Sequence, residues 1–187
     1  MSDRTPKFGW GHININVSNL DRSIAFYKRI GFEDFRPGIP YLGLTNETEP
    51  AGMPDDSAQA LGLPSGTRGR ACILQLGDGY PKLDLIEVVH SGPENAPEHA
   101  SQNTMGETPK QPLTNQDTGI VRLCLNTRNL AEDFETLSKQ GVIFLSAPQP
   151  AKDAMADIAT CMDPDGALIE LIQVHRDKWP APPSSGG

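Results

Sequence analysis

Basic residues are scarce in this chain of 187 residues. Sixteen Lys and Arg stand against 24 Asp and Glu, a formal net charge of −8. Nucleic acid and anionic membrane both call for a basic patch, and no run of Lys and Arg supplies one, so neither is expected as a partner. Long hydrophobic runs are missing as well. No stretch approaches 18 apolar residues, and MSDRTPKFGW at the start has no apolar h-region. That pattern predicts a soluble, cytoplasmic protein. Cysteine is rare. Cys72, Cys124 and Cys161 sit in apolar strand-like runs without CxxC spacing, which argues against zinc or disulfides and for buried free thiols. Aromatic residues make up only 6%, a poor supply for an aromatic-lined groove.

What is present is patterned. GHININV, residues 11–17, alternates His12, Asn14 and Asn16 with Ile13, Ile15 and Val17, the signature of a strand with one apolar and one polar face. SNLDRSIAFYKRIG follows. Ser18 fits an N-cap with Asp21 in the first turn. Leu20, Ile24, Tyr27 and Ile30 recur at helical spacing, and Gly31 fits the C-terminal turn. FEDFR predicts a short strand. A Pro/Gly-rich loop then runs over about 37–68, before two strands, RACILQLG and PKLDLIEVV, joined by GDGY.

The order β-α-β-β-β then repeats. GIVRLCLN, TRNLAEDFETLSKQG, VIFLSAP and ADIATCMDPDGALIELIQV give strand, helix, strand and a pair of strands. Leu20, Ile24, Tyr27 and Gly31 map onto Leu130, Phe134, Leu137 and Gly141, and LDLI at 83–86 maps onto IELI at 169–172. The first offset exceeds the second by the length of the extra loop. An internal duplication with one insertion is therefore expected. Its modules span 9–90 and 118–176, with an irregular linker over 91–117 and a disordered tail over 177–187. The fold class is α+β. Two βαβββ modules should form a shared, curved mixed sheet with an open cup, helices on the outer face, together making one domain.

These features resemble the vicinal oxygen chelate superfamily, which includes glyoxalase I, epimerases, extradiol dioxygenases and bleomycin-resistance proteins. The strand opening with His12, NLDRSIAFYKRIGF and DPDGALIELIQ carry the resemblance. It implies that the first and last strands of each module point up to four ligands at a divalent metal ion. The matching positions are His12, Asp84, Arg122 and Glu170. It also places Asn14, Asn16 and Asn126 in the cup as substrate-binding groups, with Cys124 as the partner of Asn14. Asp84 and Glu170 stand out on their own account. Each interrupts an apolar strand, and an unpaired buried carboxylate costs several kcal/mol.

Arg122 breaks the pattern. A guanidinium has no lone pair to donate. His12, Asp84 and Glu170 remain as a metal set, but a unit charge about 4 Å from a metal opposes it by roughly 4 kcal/mol per charge at an effective dielectric near 20. Either a divalent metal is held by those three, or Arg122 replaces it and bridges the carboxylates. The resemblance then implies a small-molecule enzyme acting on an oxygenated metabolite, of isomerase, epimerase or lyase type. Glu170, His12 and Asp84 are the candidate catalytic residues and Arg122 the substrate-binding cation. The missing histidine speaks against a dioxygenase. The alternative is metal-free sequestration of a ligand, as in bleomycin-resistance proteins.

Smaller expectations follow. Trp10, Phe35, Tyr41 and Tyr80 are candidate pocket liners. The insertion is either a lid carrying Met53 and Leu61 inward or a mobile surface loop. His90, His99 and His175 are expected as solvated surface residues. The partner is a small-molecule substrate or ligand, with a homodimer also compatible.

Overall fold

The computed structural model describes residues 8–89 and 114–179. His90, His99 and most of the linker lie outside the described residues. The chain forms two compact units, divided between Lys110 and Gln111, one for each module.

In the first unit, β1 (His12–Asn16) leads into α1 (Leu20–Arg29), then β2 (Glu33–Arg36), the insertion, β6 (Arg68–Gln75) and β7 (Lys82–Val89). The sheet order is β1-β7-β6-β2. The β1–β7 pair is parallel and the others antiparallel, which makes the sheet mixed. The N-cap of α1 is Asn19, not Ser18. Its side chain accepts from the Arg22 N–H at 2.8 Å, while Ser18 Oγ accepts from the Arg22 guanidinium instead. The buried stripe is Leu20, Ser23, Phe26 and Tyr27, with Ile24 and Ile30 only half-buried. Edge-to-face contacts of Tyr27 with Phe26 and Phe32 turn the helix that way. Gly31 at φ 99° ends it in a backbone region that favours glycine.

The insertion is a structured layer. It contains β3 (Gly38–Ile39), β4 (Leu44–Thr45), β5 (Ala51–Gly52) and the short α2 (Asp55–Ala60). Ile39, Leu42, Leu44, Met53 and Ala58 are buried in one cluster with Ala71 and Ile73 of β6 and Ile86 of β7. Side chains alternate along β7, and Glu87 turns towards the start of α1. Ile86 therefore faces away from the helix, so the insertion covers the sheet's other face. Met53 points inward as expected, but Leu61 is 52% exposed. Arg70 fastens the layer. It is 7% exposed and donates to Asp21, to Glu87 and to the backbone carbonyls of Asn46 and Glu47.

The second unit repeats the frame without the insertion. β8 (Arg122–Asn126), α3 (Leu130–Lys139), β9 (Ile143–Phe144), β10 (Gln149–Pro150), β11 (Ala156–Met162) and β12 (Leu168–Val174) build a mixed sheet of order β10-β11-β12-β8, with β9 paired to β11. The likeness extends to single hydrogen bonds. Leu20 N–H donates to Glu87, and Leu130 N–H to Gln173. Val17 N–H reaches the Ile86 carbonyl, and Thr127 N–H that of Ile172. Asn19 and Asn129 cap the two helices alike.

Two expectations fail here. Cys124 is exposed, whereas Cys72 and Cys161 are buried. It shares the polar face of β8 with Arg122 and Asn126. His175 is half-buried and bonded to Asp157 at 2.8 Å, not free in solvent. The expected tail opens with an ordered turn, Arg176–Lys178, after which the Trp179 indole N–H donates to the Met155 carbonyl.

Candidate functional site

Each module brings one of the expected carboxylates to the strand beside its opening strand. In the first, β1 lies parallel to β7 with Asn14 opposite Asp84. In the second, β8 lies parallel to β12 with Cys124 opposite Glu170. The same register in both units puts Asp84 and Glu170 at equivalent places.

Asp84 is 1% exposed, and its Oδ1 has no hydrogen-bond partner among the described residues. His12 Nε2 stands 3.7 Å from its Oδ2. Burial raises the Asp84 pKa above the ordinary carboxylate value, and the nearby His12 and Tyr41 pull in the opposite direction. The Tyr41 hydroxyl is pushed up in turn, first by burial and then by the facing carboxylate. Tyr41 comes from the insertion, in the short turn Pro40–Leu42, and Ser57 Oγ fixes it by donating to its carbonyl at 2.9 Å. Asn14 and Asn16 are exposed on the same face of β1 as His12 and hydrogen-bond to each other at 3.0 Å. Lys82, two residues before Asp84, is buried. Its ammonium donates to Gln75 and lies 4.6 Å from the Phe35 ring and 5.3 Å from the Tyr80 ring.

Glu170 is 9% exposed and fully engaged. Arg122 Nε–H donates to Oε2, and the Cys124 thiol donates to Oε1 at 3.4 Å. Arg122 also donates to Asn115 Oδ1 at 2.9 Å. Burial, and then the Glu170 charge, push the Cys124 thiol up to about 11. Asn126 sits at the other end of β8, roughly 13 Å along the strand from Arg122 at 3.3 Å per residue, and lines a different cavity.

A divalent metal fits this donor set badly. The free Oδ1 of Asp84 and the imidazole of His12 make two suitable donors. Both oxygens of Glu170, however, already accept hydrogen bonds, one from a fixed cation. Within either unit, among the described residues, no three His, Cys, Asp or Glu side chains gather as a metal site requires.

A model of the glyoxalase/bleomycin resistance protein/dioxygenase superfamily matches residues 9–171. The chain belongs to this superfamily. It is 24% identical over 181 residues to lactoylglutathione lyase of Pseudomonas aeruginosa, covering 90% of this chain and 84% of that one. Among solved structures, a glyoxalase family protein from Bacillus cereus superposes with a TM-score of 0.63 at 15% identity, over 93% of this chain and 99% of the other. A glyoxalase/bleomycin resistance protein/dioxygenase domain from Frankia gives 0.53 at 16% identity, over 91% and 95%. These structural likenesses bear on the fold. A superfamily scaffold hosts many chemistries, so the reaction has to be argued from the side chains.

Proposed function

We propose that the chain is a small-molecule enzyme that moves a proton on an oxygenated metabolite, of lyase or isomerase type, with Asp84 as the group that takes the proton. The observation that carries this reading is the buried carboxylate with one oxygen unpartnered. Leaving such an oxygen bare is costly for folding, which suits a group reserved for a ligand. A carboxylate whose pKa is raised by burial accepts a proton more readily than a solvated one. His12 and Tyr41 stand around it to orient a substrate oxygen or return the proton, and the exposed amides of Asn14 and Asn16 are suited to hold substrate oxygens. Glu170 is the weaker candidate base, because Arg122 already neutralises it. Arg122 has its Nε and one terminal nitrogen engaged, which leaves the other to meet an anionic oxygen. The relative that bears the name of a lyase agrees with the reaction class.

Sequestration without chemistry is the second reading. The Phe35 and Tyr80 rings around Lys82 favour it, since they offer an apolar surface beside a cation. A panel of 2-oxo thioesters, hydroxy-ketones and catechols separates the two. Turnover should fall by about 10²–10⁴ in Asp84→Asn with the fold intact, and the acid limb of its pH profile should lie above the ordinary carboxylate value of about 3.9. A ligand that binds tightly and returns unchanged, or an Asp84→Asn protein at full rate, refutes the catalytic reading.

A further inference from the structure

One corner is built differently in the two units. In the first, Glu87 accepts the Leu20 N–H at the start of α1, and the Arg70 guanidinium fills the space beside it, tied to Asp21 and Glu87. Arg70 stands opposite Glu87 in the ladder, and Asp157 stands opposite Gln173 in the equivalent ladder of the second unit. There Gln173 replaces Glu87, Ala131 replaces Asp21 and Asp157 replaces Arg70. Gln173 keeps the bond to the helix, accepting the Leu130 N–H at 2.8 Å. Asp157 turns instead to His175. Among the described residues, no guanidinium holds the equivalent ladder position.

Beside Gln173 the second unit has a cavity of about 370 Å³, within the usual range for small-ligand sites, roughly 300–1,000 Å³. Arg128, Arg176, Gln173, Asn126 and Trp179 line it. Neither Arg128 nor Arg176 is ion-paired with a carboxylate among the described residues. The neighbouring acids do not line the cavity. Asp133 accepts the Thr127 hydroxyl, Glu132 accepts the Asn129 amide, and Asp177 is not among the lining side chains. The Gln173 oxygen is used by the helix, so its NH₂ remains to donate. The Trp179 indole is pinned at its N–H and 55% exposed, which leaves ring surface for a flat ligand.

We propose that this corner of the second unit binds a small organic anion, a carboxylate or phosphate carried on a flat ring. Two guanidinium groups and an amide meet the anion, and the indole meets the ring. The site is lined by residues of the second unit and does not rest on the catalytic reading.

Trp179 supplies the assay. In a Trp10→Phe background, its fluorescence is titrated with benzoate, phenyl phosphate and the neutral benzyl alcohol. A saturable change with either anion, weakened about tenfold or more in Arg128→Gln and in Arg176→Gln, supports the site, and the better anion identifies the head group. Three results overturn the proposal. They are no saturable change with either anion, benzyl alcohol binding as well as the anions, or unaltered affinity in both arginine variants.

Discussion

Cys124 is exposed, yet its thiol is kept protonated by partial burial and by the carboxylate it donates to, with a pKa of about 11. At a pH near 8, roughly one Cys124 in a thousand is then a thiolate. Cys72 and Cys161 are pushed up as well, to about 12 and about 11, chiefly by burial. All three should alkylate slowly in the native protein. Glu170→Gln removes the charge that raises Cys124 and should speed its labelling severalfold. Arg122→Gln removes a charge that lowers it and should slow labelling, even though it opens access. Rates that follow exposure alone, rising in both variants, would contradict this electrostatic account; mass spectrometry of iodoacetamide-treated protein reads them site by site. The alternation in RLCLN already placed Cys124 with Arg122 and Asn126 on one face. Its apolar neighbours nonetheless suggested a buried thiol, because cysteine is itself a common core residue. Asp84 and Glu170 were legible for the opposite reason, since a carboxylate in an apolar strand is conspicuous. The approach of Tyr41 to Asp84 was not legible. It depends on where a long insertion folds back, and no local pattern encodes that.

At the scale of elements, the repeated strand–helix frame could be read from matching positions, and the hydrogen bonds of Leu20 and Leu130 confirm it atom by atom. Boundaries were harder. Ser18 and Asn19 are both good caps, and the choice falls to whichever side chain the chain direction turns towards the Arg22 N–H. The insertion read as a loop because its glycines and prolines interrupt every period. Its apolar residues nonetheless find a common core against Ala71, Ile73 and Ile86. That burial makes it a wall and not a lid. Met53→Ala should therefore cost about 2–5 kcal/mol in urea unfolding, as a truncation in a packed core does. Amide exchange over 38–60 should be slow without any ligand. A neutral Met53→Ala, or fast exchange throughout the segment, would instead indicate a layer that opens.

For the molecule as a whole, the carboxylates pull stability in opposite directions as pH changes. Asp21 is held below the ordinary value, first by its hydrogen bond with Arg70. Its contribution is present above the unfolded pKa, near 3.9, and is lost as pH falls through its lower folded value. Asp84 is raised, chiefly by burial, so its sign is reversed. Protonated Asp84 costs least to bury, and its contribution is full below the unfolded value and lost as pH rises through the raised folded one. The ionised form of this buried carboxylate, with one bare oxygen, is therefore the form that costs the fold. Asp84→Asn removes that charge while keeping the shape. The variant should melt at a higher temperature than wild type above the raised folded pKa of Asp84, and the gap should narrow as pH falls through that value towards the unfolded one near 3.9. Thermal melts of both proteins across that window measure the gap directly. A variant that is less stable at neutral pH would mean that the Asp84 charge is a net support of the fold, through His12 and Tyr41, and would remove the argument that it is kept there for a ligand.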